Sequence, residues 1–285
     1  MRYRTSLQRP LFRSKSRAMK LLFLPVMLAL VVPTSGSALA SSSEWFEMEG
    51  ARVRLVTSGA PDVEGRLQGV LDIELKPGWK TYWRDPGDAG VPPTIDVSAN
   101  PGIAGATLDF PAPQRHDEGD FQWAGYDYSV RLPVTFTFRD PAAPSTIDAY
   151  VFLGVCETIC VPVQATLKVD PASDPDKVGD ALAVAQAFAM VPPPAGPEFG
   201  VKVVTETGTK TALLEARFPG TPGSAELFIA ADEGYSFSTP KRVEKDGKTF
   251  FSVDVTAPTR KATGDGLRYT LVTDAGAVDG LLPYF

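Results

Sequence analysis

Short runs in which apolar and polar residues alternate fill most of the chain. "ARVRLVTSG" (51–59), "RLQGVLDIELKPG" (66–78), "VRLPVTFTFRD" (130–140), "STIDAYVFLGV" (145–155) and "VQATLKVD" (163–170) each have period two and are bounded by turn formers. That pattern predicts an antiparallel all-β domain, a sandwich or a barrel. Residues 171–198 break it. They open on Asp and Pro, run through an Ala-rich stretch near 177–190, and end on Pro192-Pro193-Pro194. Ala favours helix and the Pro run stops it, which predicts a helical linker leading into a semi-rigid hinge. Alternation then resumes in "FGVKVVTETG" (199–208), "KTALLEARF" (210–218), "SAELFIAA" (224–231), "KTFFSVDVT" (248–256) and "GLRYTLVTD" (266–274), with a hairpin signal in "EKDGKT". The expected organisation is a β domain over 44–172, a linker over 173–196 and a second β domain over 197–285.

The N-terminus has a different character. Arg2, Arg4, Arg9, Arg13, Lys15, Arg17 and Lys20 precede the apolar run "LLFLPVMLALVV", and small residues follow, ending in Ala38-Leu39-Ala40. A basic region, a short apolar run and an A-x-A site predict a secretory signal peptide over 1–40, cleaved after Ala40. The segment from Met19 is a complete signal peptide by itself. The run, about twelve residues, is too short to span a bilayer comfortably, and no later stretch is long enough, so the exported chain is expected to be soluble. Seven of the 28 basic residues leave with the signal, so 21 face 34 acidic ones, a net charge of about −13. Such a surface offers no footprint for nucleic acid. Export also implies an oxidising compartment, where disulfides persist.

That compartment bears on "VCETICVP" (155–162), which holds Cys156 and Cys160, two cysteines in 285 residues. In an extended strand they would lie ~13 Å apart, whereas a disulfide needs Cα atoms within roughly 7 Å. A bond therefore requires a turn at Glu157-Thr158-Ile159. None of the three favours the left-handed backbone of common turns, so a bond closed there is expected to be strained and labile. Three readings stand. A structural staple closing so short a loop would contribute about 2 kcal/mol, which a two-domain β protein does not need. A zinc site lacks ligands, since only His116 joins the two cysteines and it sits in a polar loop where a solvated histidine is expected; Cu(I) needs only the two thiolates. A dithiol–disulfide pair suits two close thiols in an otherwise cysteine-free exported chain and fits best, although a Cys-x-x-x-Cys spacing is not the usual redox motif.

Three segments resemble the periplasmic N-terminal region of the DsbD/ScsB family of thiol–disulfide reductases: "LKPGWKTYWRDPGDAGVPPTI" (75–95), "FPAPQRHDEGDFQWAGYDYSVRLPVTF" (110–136) and "YVFLGVCETICVPVQATLKV" (150–169). They occur in the family's order and cover most of the first β domain; two β domains resemble the ScsB type. The resemblance implies two immunoglobulin-like β-sandwich domains and a periplasmic location. It implies that Cys156 and Cys160 are the redox pair, with Cys160 as the attacking thiol. It implies that the loop His116–Gly125 caps the pair, with Phe121 as the cap, Asp120 and Trp123 beside it, and Tyr82 lining the site. Glu157 and Asp120 would raise a nearby thiol's pKa by like charge.

The same resemblance implies a protein-disulfide-reductase-like electron-transfer module that needs no cofactor beyond its disulfide. Electrons would come from a membrane-embedded thiol reductase and pass to periplasmic thioredoxin-like or disulfide isomerase proteins. The sequence departs from the family's long form, in which transmembrane and thioredoxin-like domains share the chain, so the donor is expected to be a separate protein. The alternative is a non-catalytic module for copper tolerance or partner binding, with the cysteines as Cu(I) ligands or a staple.

Overall fold

The structure is a computed structural model that describes residues 41–285 except 88, 120, 174–176, 206–209, 232–233 and 260–261. The expected signal peptide and Asp120 lie outside the described residues. The first domain comprises β1 (Ser41–Ser42), β2 (Phe46–Met48), β3 (Ala51–Thr57), β4 (Arg66–Leu75), β5 (Lys80–Gly87), β6 (Thr94–Asp96), β7 (Ile103–Leu108), β8 (Gln114–Asp117), β9 (Gln122–Tyr126), β10 (Val130–Phe138), β11 (Ile147–Cys156) and β12 (Cys160–Val169). One sheet has the order β1-β3-β4-β10-β7, with β2 also on β3; the facing sheet has the order β12-β11-β5-β9-β8, with β6 also on β11.

Strand parity explains the sandwich. Leu67, Leu71 and Ile73 of β4, and Leu132, Val134 and Phe136 of β10, point into the same core as Ile147, Ala149, Val151, Leu153 and Val155 of β11. Each large apolar side chain so buried stabilises the fold by about 1.5–3 kcal/mol relative to exposure. Val56 and Val70 break the alternation of the first sheet because its outer face is also covered. Helix α1 (Val178–Ala189) lays Val184, Ala187 and Phe188 on them. The Ala-rich stretch is thus a helix, as its composition predicts, and it is docked.

The second domain is also a β sandwich. It contains β13 (Gly200–Val203), β14 (Thr211–Arg217), β15 (Glu226–Ile229), β16 (Ser236–Phe237), β17 (Lys241–Lys245), β18 (Lys248–Thr256), β19 (Leu267–Thr273) and β20 (Gly276–Leu282). A five-stranded sheet built on β13-β14-β18-β16, with β17 on β18, packs against β15-β19-β20. The "EKDGKT" turn forms the expected hairpin, with Asp246 at φ 52° and Gly247 at φ 71°. Phe228 and Ala230 of this domain are buried in the first domain's core. Among the described residues no helix is long and apolar enough to cross a membrane.

Candidate functional site: a disulfide on the outer face of the second sheet

The odd positions of β11 point into the core, so the even ones, including Cys156, point outward from the sheet. Cys156 and Cys160 are direct cross-strand partners at the mouth of the β11–β12 hairpin. They are joined by a disulfide, with Cα atoms 4.1 Å apart. Exposed Glu157, Thr158 and Ile159 make the turn that the spacing requires. They do so without a left-handed residue, since Asp246 is the one described non-glycine residue at positive φ. The two sulfur-bearing residues differ sharply in access: Cys156 is 1% exposed, whereas Cys160 is exposed.

Strand β5 supplies the floor beside the pair. Lys80 is the cross-strand partner of Cys156 in the β5–β11 ladder, and Tyr82 lies two residues on, so both share its face. The Tyr82 hydroxyl donates to Cys156 Sγ at 2.8 Å and lies 3.4 Å from Cys160 Sγ. Burial, then the nearby Glu118 charge, push the Tyr82 pKa up, so the hydroxyl keeps its proton as a donor across the neutral range.

The β8–β9 hairpin closes the site. Trp123 is buried edge-on to Tyr82, ring centroids 5.7 Å apart, and forms with Tyr82 and Cys156 a separate apolar cluster. Its indole Nε1 donates to Glu118 Oε1 at 2.8 Å. Lys80 Nζ stands 4.7 Å from the centre of the Trp123 ring and pairs with the same Glu118 carboxylate. Hydrogen bonds from Lys80 and then Trp123 hold the Glu118 pKa below the usual carboxylate range. Phe121 stands at the hairpin tip, 36% exposed, where its carbonyl accepts the Glu118 N–H.

His116 differs from the solvated loop residue that its polar neighbours suggest. It lies on β8 opposite Trp123 in register. The two rings stack 3.8 Å apart, with 8° between their planes. Its Nε2 is buried without a hydrogen-bond partner, and burial is the main force lowering its pKa. The polar run "QRHDEGD" hides a strand because the ring that covers its imidazole comes from β9.

Two glycines make room for these rings. A Cβ at Gly125, opposite Tyr82 in the ladder, would fall 2.3 Å from the Thr81 carbonyl oxygen. One at Gly90 would fall 2.5 Å from the Tyr82 ring.

The structure therefore brings together Cys156, Cys160, Tyr82 and Trp123, and places Phe121 on the same hairpin. Sequence reasoning missed Lys80 and Glu118. Lys80 was accessible to it, since it stands two residues before Tyr82 and so shares its face. Among the described residues no group of three or more His, Cys, Asp or Glu side chains gathers as a metal site.

Residues 57–171 match the family described as thiol:disulfide interchange protein DsbD, N-terminal. The matched stretch lies within the first domain, which is similar to the DsbD N-terminal domain. The crystal structure of the N-terminal periplasmic domain of ScsB from Proteus mirabilis is similar over both domains, with a TM-score of 0.68 and 23% identity, covering 85% of this chain and 98% of that one. At that identity the likeness carries the two-domain fold. No curated protein sequence matches the chain.

Proposed function

We propose that this protein is a periplasmic thiol–disulfide exchange module. In this reading it takes two electrons from a membrane-embedded thiol reductase and passes them to oxidised thioredoxin-like or isomerase proteins through Cys156 and Cys160. The asymmetry of the two sulfurs carries the proposal. Cys160 is open to a partner, and Cys156 is buried under Trp123 with a hydroxyl aimed at it.

The step then runs in one direction at each sulfur. A donor thiolate attacks Cys160 Sγ, the S–S bond breaks, and its electron pair goes to Cys156 Sγ, where Tyr82 donates a hydrogen bond. The donor's second thiolate attacks its own sulfur in the mixed disulfide and releases Cys160. The donor leaves oxidised, and two electrons have entered the pair as thiolates, which take up protons from solvent in place of those the donor thiols lost on ionising. In the forward transfer the Cys160 thiolate attacks the acceptor's disulfide, and Cys156 resolves the mixed disulfide and restores the internal bond. Phe121, at the tip of the hairpin, is the cap that a docking partner displaces.

Equilibration of the folded protein in glutathione buffers, read by thiol alkylation, tests this. A reduction potential above about −250 mV, with Cys156→Ser trapping a mixed disulfide at Cys160, is expected. A value below about −300 mV, the range of structural bridges, would remove the exchange function. Titration of the reduced protein with Cu(I) tests the copper alternative.

A further inference from the structure

We propose that the C-terminal domain is a positioning element for the redox site, acting through Arg115 and the Arg84–Asp279 pair. The inference rests on the exchange reading of the cysteine pair. This domain holds both walls of the site, through Trp83, Arg84 and Asp85, which follow Tyr82 on β5, and through Arg115, which precedes His116 on β8.

The first wall is β5. Thr81 and Tyr82 are laddered to Tyr126 and Gly125 of β9, but the register then shifts, and the next pairing is Gly87 with Trp123. In the unladdered stretch, three consecutive residues bind the C-terminal domain instead. Trp83 meets Phe228 edge-on with centroids 5.9 Å apart. Arg84 Nη2 lies 3.4 Å from Asp279 Oδ2, with both side chains largely buried. Asp85 Oδ2 accepts the Ala231 N–H at 2.5 Å. Asp279 is itself fixed. Thr270 donates to its carboxylate at 2.5 Å, its N–H donates to Pro193 O, and its carbonyl accepts from Ala195 N.

The second wall is the β8–β9 hairpin. His116 faces the site, stacked on Trp123, and its neighbour Arg115 points the other way. Arg115 Nη2 donates to Leu227 O at 2.9 Å, and its guanidinium lies 4.5 Å from the centre of the Phe228 ring. Phe228, 2% exposed, thus sits between Trp83 of one wall and Arg115 of the other. A site holds its geometry only when the shell behind it is fixed. Here β15 and Asp279 are that shell, and they set how closely Tyr82 and Trp123 close over Cys156.

The test uses the full chain with Arg115→Ala and Asp279→Asn, and Val184→Ala in α1 as a control that loosens the fold far from the site. Three quantities are measured: the rate at which dithiothreitol reduces the disulfide in the folded protein, the exchange equilibrium constant with glutathione, and the melting temperature. Arg115→Ala and Asp279→Asn are expected to raise the reduction rate at least fivefold and to move the equilibrium constant at least threefold. Val184→Ala lowers the melting temperature and leaves both within twofold. If the Arg115 and Asp279 variants melt earlier but keep both quantities within twofold, or if Val184→Ala moves them equally, the interface is only structural and the proposal is wrong. Should Arg115→Ala not fold, Arg115→Lys, which loses the hydrogen-bonding fork but keeps a cation near Phe228, is read by the same thresholds. A small dithiol attacks the bond whether or not a protein partner does, so failure to trap a partner leaves this result standing.

Discussion

The Tyr82 hydroxyl stands 2.8 Å from the sulfur of Cys156 and 3.4 Å from that of Cys160, so one donor addresses both sulfurs and favours the buried one. A thiolate accepts such a bond far better than a disulfide sulfur does. Tyr82 therefore stabilises the reduced state more than the oxidised one.

Tyr82→Phe is accordingly expected to make the pair more reducing. A hydrogen bond to a charged group contributes about 1.5–3 kcal/mol, and about 30 mV corresponds to 1.4 kcal/mol for a two-electron couple. After allowance for the weaker bond lost in the oxidised state, the potential falls by about 30 mV. Glutathione equilibration of the two proteins side by side measures it; an unchanged or raised potential contradicts the role of the hydroxyl.

Glu118→Gln should shift the potential the other way. Glu118 takes up the charge of Lys80, the cross-strand neighbour of Cys156. Without that carboxylate the ammonium is free to favour a thiolate on Cys156, and the potential rises. The wild-type hairpin also carries an acid signature. The Glu118 pKa is lowered in the fold, by Lys80 first and Trp123 second. Its contribution is complete above the ordinary value of 4.5 and is lost as pH falls through the lower folded value. Near-ultraviolet circular dichroism of Trp123 should follow that loss in the wild type and not in Glu118→Gln.

The strands that keep a period-two pattern were legible from alternation alone, and "RLQGVLDIEL" and "STIDAYVFLGV" became β4 and β11 within a few residues. β5, the strand that matters most for the site, was not. "KTYWRDPG" does not alternate because both of its faces are used, Lys80 and Tyr82 by the site and Trp83 by the core and the C-terminal domain. The β8–β9 hairpin was hidden for a related reason, since the partner of His116 is a ring seven residues away across a turn. The cysteine turn was legible because chain geometry allows a bond at that spacing only if the chain reverses. That Cys156 is the buried sulfur was not, because its cover comes from Trp123 on another strand.

His116 gives a second pH dependence of the same sign, in which falling pH creates a charge where at Glu118 it removes one. Its pKa is lowered, by burial first, so the neutral ring is the form the fold accepts; Asp127, Glu118 and Glu226 oppose that shift and Lys80 adds to it. Stability is complete above the ordinary value of 6.5 and is lost as pH falls through the folded value below it. His116→Phe keeps an aromatic ring against Trp123, cannot titrate and removes a buried nitrogen without a partner. Thermal melts at pH 7 and pH 5 should show a smaller acid loss in the variant. At pH 7 its stability should be equal or higher by about 1 kcal/mol. An equal acid loss in both proteins would assign the effect to other groups.

Gly90→Ala tests whether the position of Tyr82 or only its presence matters. Gly90 has φ 130°, a conformation that side chains other than glycine rarely adopt, and a Cβ there falls 2.5 Å from the Tyr82 ring. The strain and the overlap together are expected to cost more than ~2 kcal/mol, read as a lower urea midpoint. The ring can relieve the overlap only by moving, which takes the hydroxyl off Cys156. The potential should therefore fall in the same direction as in Tyr82→Phe. Because both changes remove one hydrogen bond, their effects on the potential should not add. The double variant should sit no lower than the more reducing single variant, while its stability falls further. Fully additive potentials would show that Gly90 acts on the sulfurs by another route, through the backbone of the loop and not through Tyr82.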